Sequence, residues 1–292
     1  MPRDCRPHPA RVLYVSCVAA DQPEVSAWRP PVPGVVEVFH ARFTEYAYPM
    51  HVHDAWTLLI VDDGAVRYDL DRHEHGTPRD TVSLLPPHVP HNGSPATPHG
   101  FRKRVLYLDG SRLSHDLIGP AVDRPDLRDP ELRERVGRLH RALASPGDEL
   151  AAESGLVLVG ERLRDHLRHR DPEPPRPDPL LARRLRELLD EHLSDGLSLT
   201  AAAALLHAHP AHLVRAFSAA YGIAPHRYLT SRRVGRARRL LLDGLTPGEV
   251  AVASGFYDQA HLTRHFKKLV GVTPGRYRNG ARAGLSRVRS GA

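Results

Sequence analysis

Residues 250–278 read VAVASGFYDQAHLTRHFKKLVGVTPGRYR, and part of this stretch has already occurred once in the chain. His261-Leu262-Thr263-Arg264-His265-Phe266 repeats the pattern of His212-Leu213-Val214-Arg215-Ala216-Phe217, 49 residues earlier. The register holds downstream, where Gly222, Pro225, Arg227 and Tyr228 fall on Gly271, Pro274, Arg276 and Tyr277. An internal repeat marks one structural unit used twice. Each unit reads as a helix, a tight turn, a second helix and a Gly-x-x-Pro exit. That is the outline of a helix-turn-helix, and two in tandem point to a DNA reader.

The second copy has the fuller set of local signals. Thr246-Pro247-Gly248-Glu249 suits a helix start, because Thr can cap backbone N–H groups, Pro fits the first helical position and Glu closes a capping box. Small residues (Val250, Ala251, Ala253, Ser254) allow a close crossing, Gly255 supplies a left-handed end, and Phe256 packs behind the turn. Asp258 caps the next helix, predicted over Gln259 to Val270. There Leu262, Phe266 and Leu269 face inward at helical spacing, which leaves Gln259, Ala260, Thr263 and Arg264 outward to meet base edges. The first copy spans about Ser198 to Tyr221, with Ala201 to Leu206 as support helix and His209-Pro210 opening the second. Leu213 and Phe217 are core there, and Ala211, Val214 and Arg215 face out. That face is poorer in polar groups, so it should make more phosphate or apolar contacts than base hydrogen bonds. Between the copies, Pro225 to Leu242 reads as one helix with Val234, Ala237 and Leu241 inward and several arginines outward. A rigid connector would hold both recognition helices on one side of a duplex, in grooves about 34 Å apart.

Charge follows the same division. Asp178 to Ala292 carries 18 Lys+Arg against 8 Asp+Glu, a net of +10, whereas the whole chain is +7, which leaves −3 upstream. Basicity is thus concentrated where phosphates would be neutralised.

The Ala-x-x-x-Gly-Phe turn, the Leu-x-Arg-x-Phe-Lys-Lys helix and the Gly-x-Thr-Pro-x-x-Tyr-Arg exit together resemble the signature of the AraC/XylS family of bacterial transcription regulators. The resemblance covers about Pro179 to Gly280. It implies two helix-turn-helix units bridged by a central helix, with DNA contacts from Ala211, Val214, Arg215, Gln259, Ala260, Thr263 and Arg264. It also implies backbone contacts from Lys267 and Lys268. One departure is His209-Pro210, where the family more often has Ser and a non-Pro residue.

Upstream, Asp171 to Pro179 holds five prolines in nine residues, which reads as an extended, semi-rigid linker. About Val12 to Asp109 is predicted as short strands: Val35 to Phe43, Trp56 to Asp62, Ala65 to Leu70, Thr81 to Leu85 and Arg102 to Leu108. Close turn punctuation argues for an all-β sandwich or barrel. About Pro130 to His169 is predicted helical, with Leu132, Val136, Leu139 and Leu143 on one face and Leu156, Val159, Leu163 and Leu167 on another. Within the β part, His51 and His53 alternate onto one strand face, and His91 can join them. The segments around these histidines resemble the two motifs of a cupin barrel, the usual sensor domain of AraC-type regulators. Three imidazoles can hold a divalent metal. The Glu that often completes a cupin set would fall near Thr57 or Leu58 and is missing. The favoured expectation is therefore a non-metal effector pocket lined by His51, His53, Trp56 and His91, with no metal and no cofactor. The alternative is histidines satisfied by backbone carbonyls on a barrel rim. His73-Glu74-His75 and His88 read as surface loop.

At 292 residues the chain has room for two cores. Cys5 and Cys17 have no zinc-type spacing and imply no disulfide framework. Val12 to Ala20 is apolar but too short for a membrane span and weakly flanked for a signal peptide. The resulting expectation is a cytoplasmic, bacterial transcription regulator rather than an enzyme. Its parts are a cupin-like effector-sensing domain (10–110), a helical dimerisation and connector segment (111–170), a Pro-rich linker (171–179) and an AraC-type double helix-turn-helix domain (180–280). The expected partners are promoter DNA, a small-molecule effector, a second copy in a homodimer, and RNA polymerase if it activates, with no membrane. The rival is a metal-dependent cupin enzyme fused to a DNA-binding module.

Overall fold

The computed structural model describes residues 23–170 and 177–280. Cys5, Cys17, Val12 to Ala20 and 171–176 of the Pro-rich segment lie outside the described residues. The N-terminal part is built from β1 (Glu24–Trp28), β2 (Val35–Phe43), β3 (Tyr48–His51), β4 (Trp56–Gly64), β5 (Val66–Leu70), β6 (His73–Thr77), β7 (Val82–Leu85), β8 (His91–Pro95) and β9 (Phe101–Leu108). A short helix α1 (Ile118–Asp123), β10 (Asp126–Leu127), α2 (Pro130–Leu143) and α3 (Glu149–Leu167) follow. The strands form two antiparallel sheets, one ordered β1-β2-β9-β4-β7-β10 and the other β3-β8-β5-β6. The expected strands are all present. His73 to His75, expected as loop, lies in β6, because its backbone pairs with β5 from Leu70↔His73 to Val66↔Thr77.

The larger sheet is apolar on both faces. Trp56, Leu58, Ile60, Leu106 and Leu108 on one face join Leu132, Val136, Leu139, Leu156, Val159 and Leu163 of α2 and α3 in one core. Leu59, Val61, Tyr68, Leu70, Leu85 and Val105 form a second core between the sheets. Two buried faces leave no polar alternation in β4, as is usual for strands covered on both sides.

The C-terminal part is all helix: α4 (Pro179–Glu191), α5 (Leu199–Leu205), α6 (Pro210–Tyr221), α7 (Pro225–Leu242), α8 (Pro247–Ala253) and α9 (Gln259–Val270). Each repeat unit has its own core, one around Leu213, Phe217 and Leu229, the other around Val250, Phe256, Leu262 and Phe266. The repeat is visible in the packing: Phe217 meets Tyr228 edge-on at 5.5 Å, and Phe266 meets Tyr277 the same way at 5.4 Å. Leu269, expected inward, is 52% exposed. Leu269 shares the helix face of Leu262 and Phe266 but lies in the last turn of α9, where it lines the cleft toward the N-terminal half instead of joining the unit's own core. Phe266→Ala should therefore cost about 3–5 kcal/mol and lower the urea midpoint, whereas Leu269→Ala should leave it within about 0.5 kcal/mol. Equal shifts in the two variants would contradict this packing.

Candidate nucleic-acid interface and sensor cluster

Helix starts in the second unit follow from side-chain caps. Thr246 N–H donates to Glu249 Oε2 (2.8 Å), Glu249 N–H donates to Thr246 Oγ1 (3.4 Å), and His261 N–H donates to Asp258 Oδ1 (2.6 Å). Gly255 sits at φ +79°, and a Cβ there would lie 2.5 Å from the Ser194 carbonyl oxygen, so the turn between α8 and α9 requires glycine. In the first unit Ser198 caps α5 by accepting from Ala201 N–H (3.0 Å), whereas His209 gives α6 no side-chain cap.

On α9 the expected DNA-facing residues divide into two strips. Gln259, Ala260 and Lys267 are exposed and Thr263 is half-buried, on one side of the helix. His261, Arg264, His265 and Lys268 turn toward the N-terminal half, where they line a cleft of ≈ 1200 Å³. Asp148, between α2 and α3, reaches this strip: its Oδ2 accepts from Arg264 Nη2 (2.9 Å), and its Oδ1 lies 3.1 Å from His265 Nε2 and 3.2 Å from His261 Nε2. Tyr257 N–H donates to His261 Nδ1 (3.1 Å), so the ring proton sits on Nε2 and is given to Asp148. Burial opposes ionisation of Asp148, but the hydrogen bonds from His261 and His265 and the charge of Arg264 outweigh it and hold the carboxyl well below the usual range. Gly147 makes the approach possible, because at φ +88° its Cβ would lie 2.2 Å from His261 Nδ1.

The first recognition helix is covered more completely. Ala211 and Val214, expected to face out, are buried at 0% and 2% exposure. Val214 belongs to the first unit's own core with Leu185, Leu189 and Leu199, and Leu150, Val157 and Leu158 of α3 pack against that core. An outer face of apolar residues gains by leaving water against such a partner. Arg215 pairs with Glu161 of α3, and Glu153 of α3 accepts the N–H of Leu199 at the start of α5. Burial raises the Glu153 carboxyl above its ordinary value. Lys267 and Lys268 make no ion pair among the described residues and stay exposed. Sequence reasoning placed the arginines on the surface but could not find their acids, which lie 54 and 116 residues away.

His226 of α7 is half-buried in the same cleft, and its Nδ1, itself buried, has no hydrogen-bond partner. Burial, with Arg227, His265 and Lys268 adding to it against Asp148, pushes its pKa down to about 4. A folded-state value below the unfolded one near 6.5 means that its neutral form contributes stability above about pH 6.5, which is lost as pH falls through about 4. The drop in Tm between pH 7 and pH 4 should therefore be smaller in His226→Gln than in the parent chain. An unchanged difference would show that His226 titrates normally.

At one end of the space between the sheets, His51 and His91 are register partners on β3 and β8. His51 Nδ1–H donates to the Pro49 carbonyl (2.7 Å), and His91 Nδ1–H donates to the Val89 carbonyl (3.0 Å). His53 Nε2 lies 3.2 Å from His51 Nε2, and its ring meets Tyr107 edge-on at 5.0 Å. Burial, with the nearby charges of His91 and His51, pushes His53 down to about 4, and burial lowers His91. Lys103, pushed down to about 8 by burial, sits 4.1 Å above the Tyr48 ring beside this cluster. Trp56, expected among the lining residues, is on the other face of β4: it belongs to the core under α2 and α3, and its Nε1 donates to the Leu113 carbonyl (2.9 Å). Strand alternation makes Thr57, not Trp56, share the face of Leu59 and Val61. His88 is in a turn at positive φ, as expected for loop.

Residues 33–159 match the AraC-like ligand binding domain family, and residues 202–280 match a helix-turn-helix domain family. YbfI, an HTH-type transcriptional regulator of Bacillus subtilis (strain 168), is 34% identical over 73 residues, which are 25% of this chain and 26% of that protein. The match thus spans about a quarter of the curated relative's length. Among solved structures, the C-terminal domain of AraT, a response regulator from Geobacillus stearothermophilus, is 33% identical, with 35% of this chain and 85% of that chain covered and a TM-score of 0.33. The DNA-binding domain of AdpA, a global transcriptional factor solved in complex with a target DNA, is 34% identical, with 36% and 95% covered and a TM-score of 0.33. No helix among the described residues is long and apolar enough to cross a membrane.

Proposed function

The chain belongs to the AraC family of DNA-binding transcription regulators, with a ligand-binding domain ahead of its helix-turn-helix domain, and from that premise we propose that the arrangement described above is its DNA-restrained state. The observation that carries this reading is the pairing of both recognition-helix arginines with acids of the N-terminal half, Arg264 with Asp148 and Arg215 with Glu161. These carboxylates occupy the groups that would meet phosphates or base edges. Ala211 and Val214 are themselves buried, and α3 packs against the core that holds Val214, which removes the rest of the first recognition face. DNA contacts then come from Gln259, Ala260, Thr263 and Arg264 of α9 and from Ala211, Val214 and Arg215 of α6 once α3 has withdrawn, with Lys267 and Lys268 on the backbone. An effector acts by favouring the released arrangement over the restrained one, which is all that a ligand can do to such an equilibrium.

The effector seat is the cluster of His51, His53 and His91. A half-buried Lys103 beside three imidazoles favours a small anionic molecule. The sensor binds and does not turn its ligand over. The working form is a cytoplasmic homodimer joined through the helical segment 130–169, bound to promoter DNA, with RNA polymerase as the further partner at activated promoters. Fluorescence anisotropy with a labelled duplex from the gene's own upstream region tests the restraint: Asp148→Asn with Glu161→Gln should bind tighter than the parent chain, and equal binding would sink the reading.

A further inference from the structure

Lys103 points into the space between the sheets without an acid to meet it. On β9 it alternates with Arg104, so it shares the inner face of Phe101 and Val105, with Ala41 of β2 and Val61 of β4 as its register partners. Its ammonium makes no ion pair among the described residues. Aromatic rings flank it instead, Tyr48 at 4.1 Å and Phe39 and Phe101 each at 5.8 Å. Three of the 41 Lys+Arg residues are lysine, and the other two, Lys267 and Lys268, are exposed on α9. A cation wanted for its charge alone could be arginine, as at nearly every other basic position of the chain. What lysine adds is an amine that can lose its proton and become a nucleophile.

The surroundings supply groups to take that proton and to receive an oxygen. His91 Nδ1–H donates to the Val89 carbonyl, which leaves the Nε2 lone pair bare. His51 Nδ1–H donates to the Pro49 carbonyl, so its Nε2 accepts from His53 Nε2–H and the Nδ1 of His53 is bare as well. Lys103 is close enough to His53 and His91 for its charge to oppose protonation of both. Two buried hydroxyls, Tyr48 Oη and Thr57 Oγ1, have no hydrogen-bond partner. Tyr48 is the ring beneath the amine, and Thr57 pairs across the ladder with Tyr107, whose ring meets His53. Orphaned buried hydroxyls are costly, and a ligand oxygen would satisfy them.

We propose that Lys103 Nζ captures the effector covalently, holding a small anionic carbonyl compound (an aldehyde or ketone that also carries a carboxylate) as a reversible imine. The ammonium gives one proton to a bare imidazole nitrogen, and the freed electron pair attacks the carbonyl carbon. As the C–N bond forms, the C=O π pair moves to oxygen, which takes up a proton to give a carbinolamine. That hydroxyl then leaves with the remaining N–H proton as water, and the C=N bond forms. Amine and carbonyl become imine and water, nothing is oxidised or reduced, and water reverses the step when the ligand departs. Burial, which brings the amine down to about 8, leaves part of it neutral at physiological pH. The seat is the effector seat above, and the inference rests on that reading only for its consequence at the DNA.

The test is reductive trapping of the full-length chain with glyoxylate and cyanoborohydride at neutral pH, with the adduct on each lysine followed by peptide mass mapping. Lys103 should be labelled about 10–100-fold faster than Lys267 and Lys268, because more of it is neutral amine. In urea the three rates should converge. The comparison is internal to the folded parent chain, so it does not depend on a variant that folds. Labelling of Lys103 no faster than of the two α9 lysines, or a preference for it that survives unfolding, overturns the proposal. DNA binding is read separately, on the trapped parent and on an identically treated Lys103→Arg chain, which keeps the charge over Tyr48 and removes the amine. Different affinities for the upstream duplex tie the imine to the DNA restraint. Fast labelling of Lys103 with equal affinities keeps the capture site and removes its role as the effector seat.

Discussion

Asp148→Asn combined with Glu161→Gln should tighten binding of the full-length chain to its upstream DNA by roughly 5–30-fold. Each substitution removes a partly exposed ion pair, with the side chain of Arg264 44% and that of Arg215 35% accessible. Such pairs are worth little singly, about 0.2–1 kcal/mol when solvated. Here the two act on one closed-to-open equilibrium, and together they can shift it by about 1–2 kcal/mol. Removing acids near phosphates also helps electrostatically, so Glu74→Gln on the distant β6 is the charge-matched control, with an expected change below about two-fold. Gly147→Ala supplies a steric route to the same end, because the added Cβ would collide with His261 without changing any charge. Tighter binding in Gly147→Ala and in the double variant, with none in Glu74→Gln, identifies release of α9. Tightening that follows charge alone would reduce the contact to a bystander.

Gln259→Ala should lower the preference for operator over scrambled duplex by about 1–3 kcal/mol, or roughly 5–150-fold, because one good side-chain-to-base pair is worth that much. Gln259 is exposed on the first turn of α9 and lies outside the strip held by Asp148. Its loss therefore leaves the restraint intact and reports on base reading alone. Arg264→Ala has two opposing effects, since it frees the helix from Asp148 and deletes a DNA contact. Binding to scrambled DNA should hold steady or rise slightly while operator preference falls. Competition anisotropy with both duplexes at fixed salt resolves the two. A Gln259→Ala variant that keeps full operator preference would remove α9 from base recognition.

The tandem helical units could be read from the chain because their determinants are local. Thr246 with Glu249, Asp258 with the N–H of His261, and Gly255 in its turn each lie within four residues of what they fix. The repeat then reported the fold twice, down to the Phe217–Tyr228 and Phe266–Tyr277 contacts. The face of Trp56 could not be read this way. An apolar run from Trp56 to Val61 is buried on both sides, so alternation does not show which residues point at the histidines. His51 and His53 were legible because a His-x-His spacing brings both imidazoles to one side, although β3 itself ends at His51. The cover over α6 was hidden for a different reason. Ala211 and Val214 read as an outer face with few polar groups, whereas both are buried. Part of the cover on the core that holds Val214 comes from α3, an element of the other half of the chain, and no spacing within 200–280 can announce that part.

Sequence-specific reading of DNA through α9 and α6 is decided by binding of the purified full-length chain to its own upstream DNA and to a scrambled control across a salt series. The expected result is preference for the upstream duplex at every salt concentration, lost in the Gln259→Ala, Arg264→Ala double variant, with a phosphate-driven salt slope remaining. Equal and steeply salt-dependent binding to both duplexes, in the parent chain and in the Asp148→Asn, Glu161→Gln variant alike, would contradict it.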